Sequence, residues 1–415
     1  MRCVKQIKTK SGSNEKRRSV LAIVGDTQVG LWVVRSLARN GITVHAIVNN
    51  PEGQSAHSRF SASAWLLDSR PGDPDFPDEI LKLVHKLAVG SIMPVSEGYH
   101  NALIPLREQL DEKNVHLFSP SREAFDKATD KDFMHSLCMK LGVPVAKGMR
   151  LDELMRDGMA DSLNFPLVLR TRRQNIKGDK APWKAAYAKN PEVLGKLYGQ
   201  VRGFPENVIV QEYHPGVEDH VQILMHQGEL VMAGDYLGEH HMPLAGGVTV
   251  QRVSSCHQEL VNDAVKLLKA IDYEGIAGVQ FHYDPNTERY IFLEINPRFS
   301  GGLPTVIMAG FEASFRLWQS HFEPEKMKGD NYRVGVRTRI LGGDANWLLA
   351  MIRGEELPPE QVHMGKLKAL ATFFWNSGPW TRDDSFLWTD PIPFFVDLRH
   401  MVKKLGSQGF DIIGN

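Results

Sequence analysis

Cysteine is scarce in this chain of 415 residues: Cys3, Cys138 and Cys256 are its only three, far apart and without a Cys-x-x-Cys pair. That argues against a disulfide framework or a structural zinc and suits a reducing compartment. Net charge is missing as well, with 49 basic side chains against 49 acidic ones, which removes a bulk electrostatic case for nucleic acid or an anionic membrane. No apolar run approaches the length of a membrane span. Residues 1–18, rich in Lys, Arg and Ser, lack the apolar core of a secretory signal. A transit peptide stays open there, but the expectation is a disordered basic tail over 1–19 and a cytoplasmic protein. Internal repeats are absent too. A chain this long has room for roughly two to four domains with ordinary cores.

What is present begins with an α/β alternation. Residues 20–24 read as an apolar strand, followed by Gly25-Asp-Thr-Gln-Val-Gly30, a helical pattern to Ala38, a stop at Asn40-Gly41 and a second strand over 42–48. Helical patterns over 78–87 and 101–110 alternate with strands over 91–95 and 115–118, so 20–120 is expected to be a Rossmann-like domain with a parallel sheet. Its first turn does not match a dinucleotide site. Thr27 stands where a glycine would let the backbone approach a pyrophosphate, and Asn49-Asn50 supplies no acid for a ribose. Leu31-Trp32 stands where a P-loop needs Lys-Ser/Thr, so a plain tight turn is the reading.

Further on, Thr129-Asp-Lys-Asp132 opens a helix that Gly142-Val-Pro144 ends. Strands are expected at 167–170 and 184–188 around a basic loop, at 208–212, and as a hairpin of 221–225 and 230–235 across Gln227-Gly228. An amphipathic helix over 259–271 leads to a second hairpin, 278–283 and 290–296, around Asp284-Pro-Asn-Thr287. Glu294 and Asn296, two apart on a strand, share a face, and closure about Thr287 sets Gln280 opposite Glu294. Three oxygen-bearing side chains beside Arg298 suit a hard cation such as Mg²⁺, although a solvated polar strand face has the same composition. After about 326 the pattern is mainly helical, interrupted by Phe373-Phe-Trp375 and Pro379-Trp380.

The order of Lys131, Arg170, Glu212, Glu218, Gln280, Glu294, Asn296 and Arg298 resembles the ATP-grasp superfamily, in the branch with biotin carboxylase and the carbamoyl-phosphate synthetase large subunit. The resemblance covers about 20–325. It rests on Asp130-Lys131 with Gly142-Val-Pro144 downstream, Phe165-Pro-Leu-Val-Leu-Arg170, Val210-Gln-Glu-Tyr-His-Pro-Gly-Val-Glu218 and Glu294-Ile-Asn-Pro-Arg298. It implies an α/β and α+β architecture: a Rossmann-like domain at 20–120, an ATP-grasp domain at 121–325 with a lid subdomain at about 145–212, and a mainly helical C-terminal extension at 326–415.

The resemblance also implies roles. Lys131 and Arg170 hold phosphates, with arginine standing where relatives have lysine. Gln211, Glu212 and Tyr213 form the hinge that reads adenine, and Glu218 receives the ribose. Gln280, Glu294 and Asn296 are the metal trio; Glu294, Asn296 and Arg298 are catalytic, with Arg298 steadying the acceptor carboxylate. The basic segment 171–183 takes the place of a glycine-rich lid. Among substrate-facing residues, Glu97 follows an apolar strand at the end where open α/β sheets place ligands and is positioned to receive an amine; an exposed loop acid is the alternative. Gly246 and Gly247 end a loop that borders the acceptor pocket, and the adjacent His240 and His241 should point apart rather than share a metal. The implied activity joins a small-molecule carboxylate to an amine (or thiol) through an acyl phosphate, using ATP and Mg²⁺ with Mn²⁺ as a substitute. Nucleic acid and membrane are not expected as partners, and a homodimer is open. Two alternatives remain at this point: a carboxylase or carbamoyl-type enzyme that phosphorylates bicarbonate, and a nucleotide-binding protein without turnover.

Overall fold

Seventeen strands in three sheets carry the molecule, seen in a computed structural model that describes residues 5–9, 16–156, 163–171, 181–183, 185–327, 329, 331–359, 361 and 363–408. The segment 172–180 and Lys184 lie outside the described residues, and with them most of the expected basic lid.

The first sheet contains β1 (Lys5–Thr9), β2 (Ser19–Ile23), β3 (Thr43–Val48), β4 (Ser63–Leu66), β5 (Ser91–Pro94) and β6 (His116–Leu117), in the order β1-β4-β3-β2-β5-β6. All neighbours are parallel except β1, which runs antiparallel to β4. Central β2 is buried along its whole length, which is why it reads as an unbroken apolar run. Thr27, in the place of the missing glycine, caps the helix Gln28–Arg39 by accepting from the Gly30 N–H at 3.0 Å. Two expectations are corrected. Lys5–Thr9 is a sheet-edge strand, not part of a disordered tail, because β4 offers it a free edge. The helix expected over 101–110 is broken into Glu97–Leu103, a 3₁₀ turn Ile104–Leu106 and Arg107–Glu112, since Pro105 has no N–H to continue the ladder.

The second sheet, order β7-β10-β8-β9, is antiparallel: β7 (Gly148–Arg150), β8 (Leu167–Thr171), β9 (Ala185–Ala188) and β10 (Val208–Glu212). Leu167, Leu169, Val208 and Val210 are buried on one face. Strand alternation therefore puts Arg170 and Gln211 on the other.

The third sheet, order β15-β14-β11-β12-β13-β16-β17, holds β11 (Val217–His226), β12 (Glu229–Met242), β13 (Val248–Ser255), β14 (Gly275–Asp284), β15 (Arg289–Asn296), β16 (Arg337–Arg339) and β17 (Thr381–Asp383). One face packs Val221, Ile223, Val279, Phe281 and Ile295 against the helices Lys131–Leu141 and Gln258–Ala270. The same alternation leaves Glu218, His220, Gln222, Gln280, Glu294 and Asn296 for the opposite face. The segment after 326 supplies the helices Leu341–Arg353, Lys366–Trp375 and Ile392–Gln408, and it also supplies β16 and β17. Those strands were invisible in the sequence because three residues are too few to show a period. Residues 384–390 then reach the helix Gln28–Arg39: Arg35 Nε donates to Asp390 Oδ2 at 3.0 Å, and Arg252 of β13 donates to Asp384 Oδ2 at 2.6 Å.

Candidate active site

The late hairpin closes with the side-chain opposition the sequence suggested, but by a different path. Asp284 accepts from the Asn286 N–H at 2.9 Å and the Thr287 hydroxyl at 2.8 Å, fixing the turn so that Asp284 faces Arg289 and Phe281 faces Phe292. A bulge between Gln280 and Phe281 then shifts the register, pairing Gln280 with Glu294 and Gly278 with Asn296. The trio of oxygen-bearing side chains thus shares one face, and Glu294, Asn296 and Arg298 form a chain. Arg298 donates to Asn296 Oδ1 at 3.1 Å and to the Phe299 carbonyl at 2.9 Å, and Asn296 Nδ2 lies 3.5 Å from Glu294 Oε1.

Lys131 meets this chain from the other side. Asp130 caps its helix by accepting from the N–H groups of Asp132 and Phe133, both at 3.1 Å. The loop beyond that helix is tied to β15, where the Phe292 N–H donates to the Pro144 carbonyl at 2.7 Å. Lys131 Nζ lies 3.2 Å from Glu294 Oε2, both side chains about one-fifth exposed, at 20% and 21%. Burial pushes the Glu294 carboxyl up, but the charges of Lys131 and of Arg170 in β8 outweigh it and hold the group below its usual range. Cations from two elements, Lys131 and Arg170, therefore act on the one carboxylate of the late hairpin.

Glu97, at the carboxyl end of β5, reaches the same place. With Thr129, Lys131, Met134, Glu294 and Asn296 it lines a cavity of about 110 Å³. Burial raises its carboxyl, Arg298 and Lys131 draw it down, and Glu294 pushes it up. Behind it His100 is buried and pushed down to about 3, by desolvation first and then by Arg298 and Arg107. Its imidazole is neutral and sits 2.6 Å from the Ser119 hydroxyl.

The hinge residues are divided. Gln211 shares the Arg170 face of the second sheet. The Glu212 carboxylate accepts from the Asn164 backbone N–H and side-chain amide at 2.9 and 3.0 Å. Tyr213 sits edge-on to Tyr187 and His282, with centroids at 5.7 and 6.4 Å. Glu218 is in the cleft, its Oε2 3.0 Å from His220 Nε2, 3.4 Å from the Thr249 hydroxyl and 3.5 Å from His241 Nε2. Burial would raise that carboxyl, and the two imidazoles more than compensate, holding it well below its usual range. His240 and His241 do part: His240 stacks on Trp347 and lies 2.6 Å from Asp344 Oδ1. Gly246 has φ +119 and lies near the Tyr187 hydroxyl of β9, and a Cβ on Gly247 would strike the Met242 carbonyl, so the loop closes tightly on the end of β12. His220, His282, Tyr187 and Thr249 were not singled out from the sequence. Only the period-two alternation of Glu218, His220 and Gln222 could have flagged one of them.

On the sheet's other face, His257 at the start of the helix Gln258–Ala270 lies 2.6 Å from Asp219 Oδ2 and 3.3 Å from Asp235 Oδ2. Hydrogen bonds to these carboxylates push the imidazole up from 6.5 to about 10. A raised histidine contributes stability that is full below its unfolded value and lost as pH rises through the folded one. The stability deficit of His257→Gln relative to the native chain should thus be largest near pH 6.5, fade as pH passes about 10, and shrink again in acid as Asp219, which burial raises to about 6, takes up a proton. Urea midpoints across that range check this, and a deficit independent of pH would refute it.

A family model described as "ATP-grasp in the biosynthetic pathway with Ter operon" matches residues 204–336. The chain is 21% identical over 309 residues to Biotin carboxylase 1 of Bacillus subtilis, covering 69% of this chain and 66% of that protein. It is 22% identical over 272 residues to the D-aspartate ligase of Enterococcus faecium, covering 59% and 63%. In both cases the chain spans less than two thirds of the relative's length. Among solved structures, the biotin carboxylase of Campylobacter jejuni, a β-γ-ATP complex, superposes with TM-score 0.60 at 16% identity over 77% of this chain and 74% of that one. That likeness is one of fold.

Proposed function

We propose that this chain, which belongs to the ATP-grasp superfamily, is an ATP-dependent ligase that joins a small-molecule carboxylate to an amine through an acyl phosphate. The observation that carries the reading is the 3.2 Å pair of Lys131 with Glu294, on a carboxylate that Arg170 also addresses. Cations for a triphosphate and oxygens for a hard metal ion then face each other, the arrangement phosphoryl transfer uses. The donor set fits Mg²⁺: Gln280, Glu294 and Asn296 share a face, and Glu294 is kept ionised. Bound there, the ion would neutralise charge on the transferring phosphoryl group.

In this reading Lys131 and Arg170 take the phosphate oxygens, and Arg298 orients the acceptor carboxylate. A carboxylate oxygen attacks the γ-phosphorus, the bond to the bridging oxygen breaks, and ADP leaves. The amine nitrogen then bonds to the acyl carbon, phosphate departs, and the nitrogen gives up a proton to leave an amide. Glu97 anchors the amine from the first sheet. The name of the D-aspartate ligase supports carboxylate–amine chemistry among relatives.

The test is ADP release by the purified chain with Mg-ATP and a panel of organic acids, each with and without an amine. Release that requires both an acid and an amine, with amide detected by mass spectrometry, is the expected result. Release that requires bicarbonate instead of an organic acid would replace this reading with the carboxylase alternative. Glu97→Gln should raise KM for the amine by about 10- to 100-fold, the cost of losing a charged hydrogen bond, while KM for ATP stays put. Equal changes in both constants would remove Glu97 from the amine site.

A further inference from the structure

Apolar side chains on the outer surface are unevenly distributed. Among the described residues, eight of the fourteen large exposed ones fall near the C-terminal end: Leu367, Phe374, Trp375, Trp380, Trp388, Ile392, Phe395 and Val402. Leu367 is 83% exposed and Trp388 86%. In the helix Lys366–Trp375 the exposed Leu367, Ala371 and Phe374 recur at i, i+4 and i+7, so they form one outward stripe, with Ala369 alone buried. Trp375 continues the stripe and meets Trp380 with ring centroids 4.8 Å apart. In the helix Ile392–Gln408 the exposed Ile392, Phe395, Arg399 and Val402 also lie on one face, just after Trp388. Single exposed apolar groups are ordinary, but an apolar stripe on each of two helices of one segment is not.

The charges of this segment are sorted by sign. Between residues 364 and 403 the basic side chains are Lys366, Lys368, Arg382, Arg399 and Lys403, and all five are exposed. The acidic ones are Asp383, Asp384, Asp390 and Asp397, and none is exposed. Asp384 and Asp390 are buried in ion pairs, Asp383 accepts from the Leu341 and Ser385 N–H groups, and Asp397 accepts from the Ser385 hydroxyl. Glu52, from the first domain, lies 3.8 Å from Lys403 and 4.0 Å from Arg399 and offsets part of the charge there. The large exposed side chains of this segment are thus tryptophan, phenylalanine and aliphatic groups together with cations.

We propose that the outer faces of the helices Lys366–Trp375 and Ile392–Gln408 dock on the headgroup region of an anionic lipid bilayer. Aromatic and aliphatic side chains with lysine and arginine at their margins are the chemistry of interfacial helices, whose apolar face enters the headgroup boundary while cations meet lipid phosphates. A second copy of the chain would bring the same five cations against the first set, with no exposed carboxylate of this segment to receive them. The balanced charge of the whole chain gave no sign of a membrane partner because the acids that cancel these cations sit elsewhere or point inward.

Co-sedimentation of the full chain with vesicles tests the proposal. It should sediment with equal parts phosphatidylglycerol and phosphatidylcholine, not with phosphatidylcholine alone, and less as salt rises. Tryptophan emission should shift to the blue on binding. Phe374→Ser with Trp375→Ser, and separately Trp388→Ser with Phe395→Ser, should each weaken partition by about tenfold or more while the unfolding midpoint and ADP release are unchanged. Should either pair fail to fold, Lys366→Gln with Lys368→Gln should weaken binding to the anionic vesicles alone. Absence of sedimentation, or sedimentation retained in every variant, overturns the proposal. So does a dimer in analytical ultracentrifugation that the aromatic variants dissociate, or a soluble partner protein that occupies the face.

Discussion

Glu294→Ala is expected to lower ADP release by about a thousand-fold or more while barely moving the urea midpoint. The two readouts separate because of where Glu294 stands. Its carboxylate is the one anion among Gln280, Glu294 and Asn296, and Lys131 and Arg170 keep it ionised. Without it, the trio would offer only neutral oxygens to a divalent ion, and the face would lose the charge that, in the proposed reading, favours a hard cation. The fold loses little. Lys131 is partly exposed and turns to water, so the pair contributes on the order of 1 kcal/mol or less. Glu294→Gln, which keeps the shape and removes only the charge, should be nearly as inactive. Turnover at the native level in Glu294→Gln would remove the metal assignment and with it the mechanism.

Much of this site was legible because its positioning signals are local. The Asp130 cap and the Gly142 stop fix Lys131 in the first turn of its helix, and both are written within a dozen residues. The Asp284 turn and the alternation of Glu294 and Asn296 gave the hairpin face, although the bulge that secures the Gln280 pairing leaves no trace in the sequence. What escaped was non-local. β11 begins at Val217, four residues before the apolar run that announced it, since its first half carries Glu218, Asp219 and His220. Asp219 is tolerated in the interior because His257, 38 residues away, donates to it. The resemblance assigned only the backbone of 211–213 to the adenine and left the Glu212 carboxylate without a partner; it accepts from Asn164, 48 residues distant, which no periodicity could name. The same reason hid β16 and β17, whose sequences contain mostly arginine, threonine and aspartate and acquire strand geometry only by pairing with β13 and each other.

The largest loss of stability should come from Asp390→Ala, at about 3–5 kcal/mol. Arg35 and Asp390 have side-chain exposures of 0% and 1%. Asp390 receives Arg35 Nε at 3.0 Å, the Ser58 hydroxyl at 2.7 Å and the Arg59 N–H at 2.8 Å. Truncation strands a guanidinium that burial already disfavours and that Asp390 chiefly sustains. Among the described residues, the Ser385 and Asp390 carbonyls remain as its acceptors. Arg35→Met with Asp390→Ala removes both charges together and should recover a large part of the loss, because no uncompensated ion is left inside. Urea midpoints of the two single variants and the pair form the cycle, and simple additivity would show that the two side chains act independently. Function should follow stability here for a geometric reason. Residues 384–390 bind Arg252 on the large sheet and Arg35 on the first domain, so they hold Glu97 in register with Lys131 and Glu294. Asp390→Ala should therefore raise KM for the amine well before the chain unfolds, and the double variant should bring it back toward the native value.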